Sequence, residues 1–151
     1  KTWDGRREQW HCGRRDNTLY VGSALLEIDD DPRRCIWAHP VSGQVLRVEF
    51  PDVPLDHTLR LRGAIDLRGT RYHSTDPVDY RIFIDDELIV ERTIDAHDST
   101  WYPHDLDTSS RIGELASVAV EVEAKNVRRR HFCFNGWVLD EDQAQRSTRK
   151  R

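Results

Sequence analysis

Apolar and polar residues alternate with a period of two along most of this chain. The clearest run is 78–94, VDYRIFIDDELIVERTI, in which Val78, Tyr80, Ile82 and Ile84 alternate with Asp79, Arg81, Phe83 and Asp85. Asp85-Asp86 interrupts the run, and Leu88 and Val90 resume it. The pattern predicts a β-hairpin with one buried face. Similar runs cover 19–28, 45–50, 59–67 and 115–124, with shorter apolar segments at 35–38 and 132–139 and a further short strand at 104–107. The stretch 114–125 fits period two better than the helical period of 3.6. Asp29-Asp30-Asp31-Pro32, His39-Pro40, Pro51 and Pro54 read as breaks between strands. Gly63, inside the 59–67 run, implies a bulge or a close approach to the backbone.

Short strands joined by turn residues predict an all-β, antiparallel β-sandwich of about eight strands. Residues 1–18 read as a polar lead-in whose Trp3 and Trp10 cover the sandwich edge. The sandwich itself is expected over 19–140, followed by a flexible C-terminal tail over 141–151, which lacks large apolar residues.

Composition narrows the function classes. The 151 residues fit one domain, and charged residues make up 33% of them, above the roughly 25% typical of soluble domains. No run approaches the roughly 20 apolar residues of a spanning helix, so no membrane insertion is expected. The net charge of −4 is interspersed, so nucleic acid is not an expected partner. There is no methionine, which points to a processed protein or a piece of a larger one. Cys12, Cys35 and Cys133 form no zinc motif. They allow one disulfide, Cys12–Cys133 or Cys35–Cys133, or three buried thiols.

Some segments carry a family resemblance. Ile36-Trp37-Ala38-His39-Pro40-Val41-Ser42 resembles a strand-and-loop of the NPCBM carbohydrate-binding modules and of related galactose-binding-like jelly rolls. Ala64-Ile65-Asp66 stands where those modules carry G-[VI]-D. The 78–86 segment is similar to their V-x-F-x-V-x-x-D-G hairpin, with Asp86 in place of the glycine. Val118–Ala124 and Trp137 match the late valine strand and the closing aromatic. The resemblance covers roughly residues 35–139. It implies a jelly-roll sandwich, a lectin-like role beside a secreted hydrolase, and often a structural calcium ion.

Strand parity places a site without the family. Connections in an antiparallel sandwich alternate between its two ends, so loops 39–44, 68–77, 95–103 and 125–131 should share one end. They hold the candidate ligand-binding residues His39, Arg71, Tyr72, His73, Trp101, Tyr102, Arg128 and Arg130, with Arg129 beside them. Aromatic rings meet the C–H face of a sugar, while Arg, His and Asp bond its hydroxyls. Guanidinium groups also suit an acidic sugar. Each residue has a plainer reading. Trp37 and Trp137 read as packing, His39 as bonded to backbone at a strand end, and Arg128 to Arg130 as a solvated turn. Calcium takes carboxylate and carbonyl oxygens; the candidates are Asp29 and Asp31 with Asp30 between them, and Asp76 near Asp79. No catalytic motif is present. The sequence therefore reads as a non-catalytic, extracytoplasmic carbohydrate-binding module of a larger protein, with a glycan or polysaccharide as ligand. The alternative is a protein–protein interaction module contacting another protein domain.

Overall fold

The computed structural model describes residues 2–12, 19–28, 31–66 and 76–148. These form two antiparallel sheets. The strands are β1 (Thr2–Asp4), β2 (Gln9–His11), β3 (Tyr20–Ile28), β4 (Asp31–Ala38), β5 (Leu46–Pro54), β6 (Thr58–Ile65), β7 (Val78–Ile84), β8 (Glu87–Ile94), β9 (Tyr102–Asp107), β10 (Leu115–Glu123) and β11 (Phe132–Leu139). One sheet has the order β1-β2-β3-β4-β11-β6-β9 and the other β5-β10-β7-β8.

The alternation read from the sequence decides what faces the interior. On β7, Val78, Tyr80, Ile82 and Ile84 are buried; Val118, Val120 and Val122 of β10 join them, with Leu59, Leu61 and Ile65 of β6 opposite. Phe132 and Phe134 of β11 close this core. Gly63 is the close approach that its position implied: a Cβ there would lie 3.0 Å from the Tyr80 ring and 3.1 Å from Phe132. The β7–β8 turn needs no glycine, because Asp85 and Asp86 both adopt positive φ, 50° and 64°. Such a pair of left-handed residues suits a tight hairpin, and aspartate tolerates it better than most residues.

Several boundaries differ from the sequence reading. The lead-in supplies β1 and β2, which pair onto β3 and extend the larger sheet. β4 begins at Asp31 and includes Pro32, which faces Glu27 of β3. Pro32 is tolerated because β11 pairs with β4 only at Trp37 and Ile36, leaving the other side of Pro32 without a ladder. β5 runs through Pro51 to Pro54 because it is the edge of its sheet. The tail starts with α1 (Glu141–Thr148), whose first turn is capped reciprocally. Asp140 Oδ1 accepts from the Gln143 amide at 2.8 Å, and Gln143 Oε1 accepts from the Asp140 amide at 3.4 Å. The described residues thus hold eleven strands rather than about eight.

Registers fix the two poles. The end of β4 lies beside the start of β11, and the end of β6 beside Phe132. β9 starts beside Gly63, and β10 ends beside the starts of β5 and β7. The connections 39–45, 66–77, 95–101 and 124–131 therefore meet at one end, here the loop pole, as strand parity requires. The β3–β4, β5–β6, β7–β8 and β9–β10 connections meet at the other.

Candidate functional site

The loop pole is tied together from beneath. Arg130 is fully enclosed, at 0% exposure, and donates through Nη1 to the Ala96 carbonyl at 2.9 Å and to the Asp76 carbonyl at 3.3 Å. One side chain thus joins three of the four connections. Burial lowers its pKa, and the Asp76 and Asp95 carboxylates only partly offset that. Arg130 was expected to face a ligand; in the structure it is an internal brace of the pole.

His39 is also buried, and its Nδ1–H donates to the Pro40 carbonyl at 2.8 Å, the strand-end role that its position allowed. Around it lies a cluster of rings on the outer face of the larger sheet. Tyr20 stacks on Trp37 at 5.5 Å and 11°, and the His131 ring lies 4.8 Å from Trp37 and 5.8 Å from His39. His131 Nδ1 reaches the buried Asp66 carboxylate at 3.3 Å, so Asp66 orients the ring. Desolvation raises the pKa of the Tyr20 hydroxyl above its ordinary value.

Trp101 and Tyr102 diverge, as successive residues entering a strand must. Trp101 is half-buried against the cluster of Ile28, Cys35, Ala64 and Cys133, and its indole N–H is buried with no hydrogen-bond partner among the described residues. Tyr102 turns toward the core, where its hydroxyl donates to Asp98 and its ring lies 3.6 Å from the Arg92 guanidinium. Arg128 and Arg129 are the exposed members of the candidate set, on the 124–131 connection with Lys125. Arg71, Tyr72 and His73 lie outside the described residues.

The metal candidates do not assemble. Asp29 lies outside the described residues. Asp31 sits at the opposite pole from Asp76, and its carboxylate is held by Arg33 at 2.5 Å. Asp79 accepts from the Thr93 hydroxyl at 2.5 Å. Among the described residues no three His, Cys, Asp or Glu side chains gather as ion ligands.

Cys35 and Cys133 form a disulfide between β4 and β11, with Cα atoms 5.9 Å apart. Cys12 is outside it, and its thiol points to the Trp10 carbonyl.

A second concave surface comes from residues that the sequence reading had assigned to edge cover. β1, β2 and β3 extend past β5, so part of their inner face has no sheet opposite. Register places Trp3, Trp10, Val21 and Ala38 in one row across four strands. Ala38 and Val21 enter the core, while Trp10 and Trp3 remain 48% and 49% exposed. Their rings are 5.1 Å apart and tilted by 49°. A groove of about 470 Å³ runs beneath them toward the gap where β4 and β11 part after their two paired positions. Trp137, read from the sequence as core, is 41% exposed on the outer face, with the Arg62 guanidinium 5.2 Å above its ring. Its neighbours Phe134 and Val138 take the inward positions, so strand parity turns it out.

No protein-family model matches the sequence, and no curated protein does. Solved structures do match. The CBM51 module of GH95 from Clostridium perfringens, in complex with methyl-galactose, superimposes with a TM-score of 0.51 at 8% identity, over 74% of each chain. The fold is that of a carbohydrate-binding module. Two structures of ZmpB from the same organism agree with this. One holds its M60 catalytic domain with CBM51-1 and CBM51-2 (TM-score 0.55, 13% identity). It matches 83% of this chain, which spans only 13% of that longer one. The other holds CBM51-2 in complex with GlcNAc and the INT domains (TM-score 0.53, 14% identity). Again 83% of this chain matches, against 28% of the other. The antiparallel β-sandwich expected from the sequence is thus the observed architecture.

Proposed function

We propose that this chain is a non-catalytic carbohydrate-binding module whose loop pole recognises a glycan. The observation that carries the reading is the arrangement of that pole. Arg130 locks three connections from inside, the Trp37–His39–His131 rings and Asp66 form a fixed floor, and Arg128 and Arg129 stand exposed on the 124–131 connection that carries His131. A rigid floor with directed polar groups lowers the entropy cost of holding a small ligand. His131 offers a ring edge and a nitrogen, while the two arginines offer planar donors that fit the carboxylate or sulfate of an acidic sugar. The solved modules of this fold supply precedent, since two of them hold methyl-galactose and GlcNAc.

Binding here needs no bond to be made or broken. The module would act as an accessory domain that keeps a larger protein at a glycan surface, as in the multidomain chains that share its fold. An extracytoplasmic setting accords with the Cys35–Cys133 disulfide, because such bonds persist in oxidising compartments.

A glycan array tests the proposal. The wild-type chain is expected to bind at least one glycan class, with acidic sugars prominent. The double variant Arg128→Ala, Arg129→Ala is expected to lose at least ten-fold in affinity for acidic glycans without loss of folded stability. An array with no wild-type binding would overturn the proposal.

A further inference from the structure

The Trp3–Trp10 groove differs from the loop pole in shape and in charge. It lies at the open side of the sandwich, between the overhanging β1–β3 ribbon and β5. Trp3 and Trp10 form one wall and Val48 and Phe50 of β5 the facing one. Glu8, Glu49 and Arg34 are spaced around the rim, two carboxylates to one guanidinium, so the rim is mixed and carries no net positive charge. At about 470 Å³ it falls within the roughly 300–1,000 Å³ of ordinary small-molecule sites. A smaller recess of about 220 Å³ shares Trp10, Val21, Val48 and Glu49 with it and extends it toward Cys12 and Leu46.

Asn135 adds an independent observation. It lines the groove beside Gly136, at the point where β4 and β11 separate. Its Nδ2 donates to the Arg34 carbonyl at 3.3 Å, but its Oδ1 is buried and has no hydrogen-bond partner among the described residues, in a side chain only 8% exposed. Strand parity turns its side chain to the face of Trp137, so this closed-off acceptor marks the end of the groove and calls for a water there. Two half-exposed indoles on an edge ribbon are also unusual unless something covers them.

We propose that this groove is a second glycan-contact surface, which takes two or more consecutive neutral pyranose rings stacked on Trp3 and Trp10. The inference rests on the glycan-binding reading and adds a site distinct from the loop pole. Neutral sugar fits better than the alternatives. Pyranose rings have apolar C–H faces for the indoles and hydroxyls for the mixed rim. An acidic sugar would find no net positive charge here, unlike at the Arg128–Arg129 loop.

The test is a two-dimensional NMR titration of the full chain with two neutral tetrasaccharides, galactotetraose and chitotetraose, while the glycan array judges the parent reading separately. The Trp3 and Trp10 indole N–H signals are assigned from Trp3→Phe and Trp10→Phe. The proposal expects both to shift saturably with at least one probe, the amides of 39–45 and 124–131 to stay in place, and Trp10→Ala to weaken that binding at least ten-fold. Should Trp10→Ala fail to fold, Trp3→Ala on the outermost strand serves in its place. Shifts confined to the loop pole would overturn the second site and leave the proposed function standing. Indole shifts that follow protein concentration without sugar would assign the groove to a second copy and also overturn it. If neither tetrasaccharide moves any signal while the array is positive, the groove proposal falls alone.

Discussion

At the loop pole, aromatic side chains are built into the fold. Trp37 is stacked, Trp101 is wedged against the disulfide, and Tyr102 is held by Asp98 and Arg92. On the β1–β3 overhang, Trp3 and Trp10 touch each other and leave about half their surface to solvent. Charge differs between the two regions: the pole exposes Arg128, Arg129 and Lys125, and the groove sets Glu8 and Glu49 against Arg34 alone. The difference shows that the residue types richest in recognition chemistry serve the fold wherever a second layer covers them. They become available only where the layer stops. The outer face of the four-stranded sheet is a third kind of surface. There Arg47 and Arg81 pair with Glu121, Asp86, Glu91 and Glu123, and the face satisfies itself.

The comparison can be broken most forcefully at the disulfide beneath the pole. Replacing Cys35 and Cys133 by Ala opens a link between residues 98 apart in sequence, and removal of a native disulfide costs about 2–5 kcal/mol. Chemical denaturation should show a loss in that range. A change within error would mean that the pole is not anchored there.

Arg130→Ala comes next. It leaves the Ala96 and Asp76 carbonyls without their donor in a closed space, for which about 2–3 kcal/mol is expected. Backbone amide exchange at 95–101 should quicken with it. Unchanged exchange would separate Arg130 from the order of the pole.

The pH response sharpens the picture of the core beneath Tyr102. His104 shares a hydrogen bond with the buried Tyr80 hydroxyl, and burial, helped by Arg92, holds its pKa below the ordinary 6.5. The folded state therefore resists a proton that the unfolded chain accepts. Stability from this group is complete above pH 6.5 and is lost as the pH falls from there toward the folded value. Thermal midpoints should drop between pH 7 and pH 5, and His104→Gln should flatten that dependence. A slope unchanged in the variant would contradict the assignment.

The smallest stability effects belong to the groove. Trp3→Ala and Trp10→Ala remove rings that make few buried contacts, so each should cost about 1 kcal/mol or less. A cost of several kcal/mol for Trp10→Ala would show that the ring serves the fold and would erase the contrast between the two regions.

Much of this architecture was legible in the chain. Alternation at 59–67, 78–94 and 115–124 located four strands and their buried faces, and parity brought four connections to one pole. The elements misread have identifiable causes. Prolines at 32, 51 and 54 read as breaks in the sequence, yet each sits where one side of the strand has no ladder. The lead-in is too polar and too short in its runs to signal β1 and β2, whose stability comes from pairing with β3. Asp140 and Gln143 did carry a capping-box signal for α1, hidden by the polar composition that follows. The site was less legible. Arg130 looks like its neighbours in sequence, and only the fold turns it inward. Trp3 and Trp10 acquire a role only because β5 ends the opposing sheet short of them.

A crystal of the chain soaked with the tightest oligosaccharide from the array tests glycan recognition most directly. Sugar density is expected at the loop pole over His131 and Arg128–Arg129, with or without a second sugar along the Trp3–Trp10 groove. Density confined to the charge-paired face of β5, β10, β7 and β8 would contradict it.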